Sequence, residues 1–563
     1  MPCKLKFFFL IFLVGCVTIA SARVESLFSL NKLRQDSTLI PHLEKRGKAI
    51  QLMVDNKPYL VLGGELHNSS SSSLEYMKPM WPKLAKAHLN TVLAPVSWEL
   101  TEPQKGKFDF HLVDGMIQQA RKNNLHLILL WFGSWKNGQS HYAPIWVKKN
   151  EQQFPLVKIK NGKHLEILSP LNEQTAQADA AAFAQLMKHI KHVDGEKHTV
   201  IMMQVENEVG ILADSRDRSN IADKTFAEDV PVQLVRYLQD NKNNLRKNIY
   251  QLWKNNGFKA SGNWTTIFGE GTAADELFMA WKYAHFINEV AKAGKKEYPL
   301  PMYVNAWIVQ PQDKGPGDYP GGGPQAHVHD IWKAAAPDID MLSPDIYLPN
   351  FAEICNEYKE NDKGFFTPES RSGEDGAGNA FYAIGACNSI DYSPFGVDGN
   401  INEFEKGPIS KAYEVLSQLA PLILKAQCEG TIAAVSLDKN NPRQKIHLGN
   451  YILDVERRHS WDTIGVADKG YALIIATGPD EYFVAGNDFQ ITFFPDSGSK
   501  TAGFDYVEEG FFEQGKWLAG RRLNGDEIST SIRLADMAAK GKTGTVARVA
   551  KGPAILKVKL YRF

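Results

Sequence analysis

Apolar and polar positions along the chain fall into two textures. From about residue 45, short apolar runs alternate with longer stretches whose apolar residues recur every three or four positions. The runs lie at 59–68, 90–99, 125–131, 200–205, 302–307, 339–347, 365–369 and 381–386. The amphipathic stretches lie at 74–88, 111–123, 173–192, 327–336 and 408–425, with a helix-rich excursion over 211–300. Runs that are apolar on both faces suit parallel strands covered by helices. Eight strand–helix units in this order predict a parallel (β/α)8 barrel, the TIM-barrel architecture, over 23–425. An open doubly wound sheet would carry a glycine-rich phosphate turn, and none is visible. After about residue 426 the pattern changes to short period-two strands at 431–437, 471–477, 482–485, 489–494 and 554–561, separated by Gly, Asp and Asn. This predicts an all-β, sandwich-like domain over 426–563 that either binds polysaccharide or packs against the barrel and stabilises it.

Chemistry in such a barrel sits at the C-terminal ends of the strands. The fourth run ends in Gln204-Val205-Glu206-Asn207-Glu208, and the seventh ends in Thr367-Pro368-Glu369. If strand geometry continues, Glu206 and Glu208 point the same way and Asn207 the other. Two carboxylates far apart in sequence but close in space are what glycosidic-bond cleavage requires: a proton donor for the departing oxygen and a carboxylate at the anomeric carbon. Other polar and aromatic groups at strand ends are Glu65, His67, Trp98, Glu99, Trp131, Asn305, Trp307 and Tyr347. They are candidate sugar contacts, each to be weighed against a place in the core. Trp135 is a second candidate wall beside Trp131. Glu270, between two glycines, reads as a loop turn before a helix. The Gly- and Pro-rich loop 313–324 is long enough to shape a cleft.

Charge balances, with 64 basic and 64 acidic residues, so nothing favours a nucleic-acid or polyanion partner. No cysteine sits in a metal-binding spacing, and neither a metal nor a cofactor is expected. Residues 1–22 read as an export signal: Lys4 and Lys6, an apolar stretch from Phe7 to Val14, then Ala20-Ser21-Ala22. Within it, Leu13-Val14-Gly15-Cys16 resembles a bacterial lipobox, which would make a lipidated Cys16 the mature N-terminus and anchor an exported protein to a membrane. Without lipidation the protein would be secreted. Cys355, Cys387 and Cys428 remain in the fold, enough for one disulfide whose pairing the sequence leaves open.

The two strand-terminal glutamates, and Trp98-x-x-x-Glu102-Pro103-x-x-Gly106-x-Phe108-Asp109-Phe110 after the second strand, resemble the retaining glycosidase clan with (β/α)8 barrels, and within it glycoside hydrolase family 35. The resemblance implies Glu208 as general acid/base, Asn207 as the partner of the sugar 2-hydroxyl, Glu369 as nucleophile and Tyr347 as its hydrogen-bond donor. Glu206 is the alternative acid, ranked below Glu208 because the clan motif places Asn directly before the acid. Two departures stand out. Glu99 and Thr101 replace the family's usual Asn and His, and the Asn-Ala-Glu clamp after the third strand is absent. The implied activity is removal of terminal non-reducing β-D-galactosyl residues from oligo- or polysaccharides, with plant cell-wall side chains such as xyloglucan as one substrate. Alternatives are a family 42-like β-galactosidase, another clan glycanase acting on mannan or glucan, or a glycan-binding surface lipoprotein without catalysis.

Overall fold

The computed structural model describes residues 40–360, 363–460, 465–466, 468–496, 501–531, 544–549 and 552–563. The export signal and Cys16 lie outside the described residues. Eight parallel strands form the barrel: β1 (Val61–Leu62), β2 (Thr91–Ser97), β3 (His126–Phe132), β4 (Val200–Val205), β5 (Met302–Trp307), β6 (Met341–Ile346), β7 (Glu369–Ser370) and β8 (Asp391–Tyr392). Strands β2 to β7 make one continuous parallel sheet, and β8 pairs with β1. Two parallel bridges, Ser370 to Pro394 and Glu65 to Leu93, join the two sheets and close the ring. Closure satisfies the backbone groups that an open edge would leave unpaired.

Alternation along each strand divides the core in two. Leu93, Ile128, Leu130, Ile201, Tyr303, Met341 and Phe366 fill the interior. Trp131, Met203, Val205 and Val304 face the helical layer outside. Three antiparallel strands, His42–Arg46, Ala49–Val54 and Lys57–Tyr59, precede β1 and send Leu52 and Val54 into the interior. Helices Glu173–Asp194 and Thr272–Glu297 pack side by side around β4. Residues 211–271 are therefore an insertion of short helices before the second of these. Arg218 joins Asp214 and Asp275 at 2.9 and 2.7 Å, and Arg216 joins Asp275 at 2.9 Å. These ions tie the segment after β4 to the long helix.

The eighth strand is not where periodicity puts it. Residues 381–386 belong to the helix Gly373–Ala386, and the true β8 follows as the two-residue Asp391–Tyr392. A short apolar run cannot be told from a buried helix by pattern alone. From Gly376 onward this helix is mostly apolar and buried because it is covered on both sides. Phe381 packs against Tyr471 in a tilted contact with ring centres 4.9 Å apart, and Gly385 sits against Ala434 and Leu473. The last barrel helix, Pro408–Glu429, is capped by Gly430 in the left-handed region at φ 71°. Beyond it, two antiparallel sheets of six and five strands enclose a core of Val435, Leu453, Ile474, Val484, Phe493 and Val558. Cys355 and Cys387 are buried as free thiols in side-chain contact with each other, and Cys428 is a third free thiol. Among the described residues no helix is long and apolar enough to cross a membrane.

Candidate active site

Strand β4 stops at Val205, and the next three residues leave its alternation. Glu206 and Glu208 both take positive φ, 61° and 45°. Such conformations cost a non-glycine residue about 1–3 kcal/mol and persist where surrounding bonds fix them. The Glu206 carboxylate accepts from the amides of Ser134 at 3.1 Å and Trp135 at 2.7 Å, and shares a proton with buried Asp179. Burial, then the Asp179 charge, holds it well above the usual carboxylate range. Gly133 is required beside it, because a Cβ there would lie 2.5 Å from Glu206 Oε1. Glu206 thus fastens β4 to the end of β3 and does not share the direction of Glu208.

Glu208 and Asn207 turn into the barrel mouth instead. The Glu208 amide donates to Asn305 Oδ1 at 2.9 Å. Asn305 Nδ2 donates to Asp345 Oδ2 at 2.8 Å and to Glu369 Oε1 at 3.4 Å. Asn207 Nδ2 also reaches Glu369 Oε1, at 3.4 Å, and the Tyr347 hydroxyl donates to Glu369 Oε2 at 2.9 Å. Carboxylate oxygens of Glu208, Asp345 and Glu369 lie within 4.8 Å of one another. Burial, reinforced by the Glu369 charge, raises Glu208 to about 7, against the opposing pull of Lys136 and a hydrogen bond with Asp345. Burial and the same two glutamates hold Asp345 well above its ordinary range. One glutamate is therefore disposed to carry a proton, while the other accepts from three donors. Such pairs of unlike environment mark acid and base roles.

The loop after β5 seats this cluster. Ile211 and Gly321 exchange backbone hydrogen bonds at 2.9 Å in both directions. Gly210, at φ 144°, passes so close to Pro320 that a Cβ would stand 2.4 Å from its carbonyl.

Of the other predicted contacts, Glu65 and Asn305 join the cluster. Glu65 is fully buried, and the charges of Glu369, Lys136 and Glu208 all act on its carboxyl, which burial raises well above its ordinary range. His67 sits at the rim, its ring Nδ1 3.1 Å from Asp398 Oδ1. Glu99 is a rim residue 3.7 Å from Lys148 Nζ. Trp307 ends β5 half-buried, and its carbonyl accepts from Gln325. Two expectations fail. Trp98 is wholly buried, donating its indole N–H to Glu102 at 2.8 Å, and Trp131 faces the helices, donating to Asp179 at 2.8 Å. Trp98 belongs to the core as the first residue of the short helix Trp98–Thr101 after β2, and Trp131 because its position in β3 points outward. Trp135 is likewise buried, bonded to the Leu168 carbonyl. Two members of the site were not anticipated, Asp345 and Lys136. Asp345 has a signal in the sequence, an acid two residues before Tyr347 at a strand end. Lys136 has none, since it lies in the loop beyond β3.

Parts of the chain are similar to known proteins. The profile of glycosyl hydrolases family 35 matches residues 51–276, a span that includes β1 to β4 and Glu208 but not Glu369. A domain of unknown function, DUF5597, matches residues 409–535, from the last barrel helix into the sandwich. A β-galactosidase of Xanthomonas manihotis is 29% identical over 180 residues, 31% of this chain. The match spans about a quarter of that relative's length, 27%. Among solved structures, a β-galactosidase from Rahnella sp. R3 aligns with TM-score 0.44 and 16% identity over 65% of this chain and 57% of that one. The catalytic domain of a β-amylase from Paenibacillus polymyxa aligns with TM-score 0.46 and 13% identity over 62% and 98%. Residues 51–276, which carry the Asn207-Glu208 end of β4, are thus similar to glycosyl hydrolases family 35.

Proposed function

We propose that this protein is a retaining β-galactosidase that removes terminal β-D-galactosyl residues. The observation that carries the reading is the approach of Glu208 and Glu369 across the barrel mouth, where one carboxylate oxygen of each lies within 4.8 Å of the other, a closeness that supports the narrower of two known spacings. Retaining glycosidases hold their two carboxyls about 5–5.5 Å apart, whereas inverting enzymes leave about 6.5–9.5 Å for a water. In the first step Glu369 attacks the anomeric carbon as Glu208 gives its proton to the departing glycosidic oxygen. A galactosyl ester of Glu369 forms and the aglycone leaves. In the second step Glu208, now ionised, takes a proton from water, whose oxygen attacks the anomeric carbon and frees Glu369. Tyr347 and Asn305 hold Glu369 in line, and the Asn207 amide, 3.4 Å from Glu369 Oε1, would bond the 2-hydroxyl.

Galactose is the proposed sugar because the family match and the Xanthomonas relative both point to it. Side chains of plant cell-wall polysaccharides are the proposed natural substrate. Export, with lipid on Cys16, is the proposed location and is supported by residues 1–22 alone. The test is proton NMR of the first product from p-nitrophenyl β-D-galactoside. β-Galactose appearing before mutarotation supports the mechanism, and α-galactose contradicts it. Cleavage of glucosides or mannosides in preference to galactosides would keep the mechanism and overturn the sugar.

A further inference from the structure

The barrel mouth holds two polar groups that the reaction above does not use. Glu65 is fixed by its backbone on both sides: its amide donates to Pro394 at 2.9 Å, and its carbonyl accepts from Gly396 at 2.8 Å. Its side chain is 0% exposed, and neither carboxyl oxygen has a partner among the described residues. A buried polar group left without a hydrogen bond costs on the order of 1–3 kcal/mol, and an isolated charge more. The fold does not recover that cost from its own atoms.

Lys136 stands over the same space. It opens a tight turn in which the Lys136 amide donates to the Gln139 carbonyl at 2.8 Å and the Lys136 carbonyl accepts from the Gln139 amide at 3.0 Å. Asn137 and Gly138 supply the positive φ that such a turn needs, 53° and 64°. The residue is 7% exposed, and its ammonium lies 5.1 Å from the centre of the Phe132 ring, a ring that belongs to the barrel interior. Its ammonium makes no hydrogen bond or ion pair with any described residue, although Glu369, Glu208, Glu65 and Asp345 all act on its charge. Burial alone would lower Lys136, and these four carboxyls outweigh it. An ammonium has three donors and no acceptor, while a carboxylate only accepts. A sugar hydroxyl does both, so two neighbouring hydroxyls can satisfy such a pair together.

We propose that Glu65 and Lys136 are a specificity pair that reads adjacent hydroxyls of the terminal sugar, on the ring edge away from the anomeric carbon. Lys136 donates to one hydroxyl, and the Glu65 carboxyl accepts from it and its neighbour. The proposal rests on the glycosidase reading above.

The experiment compares wild type, Glu65→Gln and Lys136→Met on p-nitrophenyl β-D-galactoside and on its 3-deoxy, 4-deoxy and 6-deoxy analogues. Each variant is expected to lose about 100-fold in kcat/KM on the parent sugar, the scale of a buried hydrogen bond to a charged group. On the analogue lacking the hydroxyl it reads, the loss should shrink to less than 10-fold. The analogues that rescue the two variants should be the same or neighbours on the ring. Glu65→Gln should not lower Tm, since it exchanges an unpartnered carboxyl for a neutral group of the same shape. Equal losses on all four substrates, or unchanged activity because ordered water satisfies both groups, would overturn the proposal while leaving an active galactosidase. A drop in Tm of several degrees in Glu65→Gln would make Glu65 structural and overturn it too. A wild type inert on every glycoside would remove the glycosidase reading and this inference with it.

Discussion

At the scale of residues, the pH dependence of the reaction turns on Glu208. It must be protonated to start a turnover, and burial with the Glu369 charge raises it to about 7. The kcat/KM profile should therefore fall as pH rises through about 7. Asp345 lowers Glu208 through their shared hydrogen bond. Asp345→Ala should move that basic limb to higher pH while reducing kcat, and a pH–rate series on the two proteins checks both. A limb that stays put would show that the bond does not act on the acid. The contacts that could be read from the sequence are those set by strand ends alone: Glu208, Asn207, Asn305, Tyr347 and Glu369. Asp345 carries a signal of the same kind at the end of β6, whereas Lys136 enters only when the ring closes and brings four carboxyls around one ammonium. Trp98 and Trp131 are core residues instead, since Trp98 opens a short helix after β2 and Trp131 points outward from β3, which turns their indoles to Glu102 and Asp179.

At the scale of elements, the site depends on how the segment after β4 is held. Glu206 pins it to β3, the Arg216–Arg218 ion pairs pin it to the long helix, and Gly210 lets it pass under Pro320. A side chain at Gly210 would meet Pro320 backbone at 2.4 Å in a conformation that only glycine adopts at ease. Gly210→Ala should lower Tm and reduce kcat more than tenfold, because a small misplacement of Glu208 is costly. Calorimetry with steady-state kinetics checks this, and full activity in the variant would show that the loop does not position the acid. The order of the barrel was legible up to β7, since each of those strands has an apolar run or a polar end of its own. The eighth strand was not, because its two residues carry a buried aspartate instead of an apolar run. The apolar residues nearby serve a helix wedged between two domains.

At the scale of the whole molecule, buried acids shape stability. Asp391 is buried inside the closure of the barrel, where Thr367 and Ser393 donate to it, yet burial still raises it to about 7. The folded state holds that proton more tightly than the unfolded chain does. Its contribution is thus complete below about pH 4 and is lost as pH rises to about 7, by at most on the order of 4 kcal/mol. Asp391→Asn should remove that loss. The Tm advantage of wild type over the variant should shrink between pH 4 and 7, and a constant difference would contradict it. The sandwich was legible as a texture of period-two strands, and its packing against the Gly373–Ala386 helix favours support of the barrel over a separate binding role. The assignment on which all of this depends is the pair of glutamates. The decisive measurement is hydrolysis of p-nitrophenyl β-D-galactoside by wild type, Glu208→Ala and Glu369→Ala with and without azide. Both variants should collapse and both should be rescued, with β-galactosyl azide from Glu208→Ala and α-galactosyl azide from Glu369→Ala. Variants that keep wild-type rates, or azide products of the opposite configuration, would contradict the assignment.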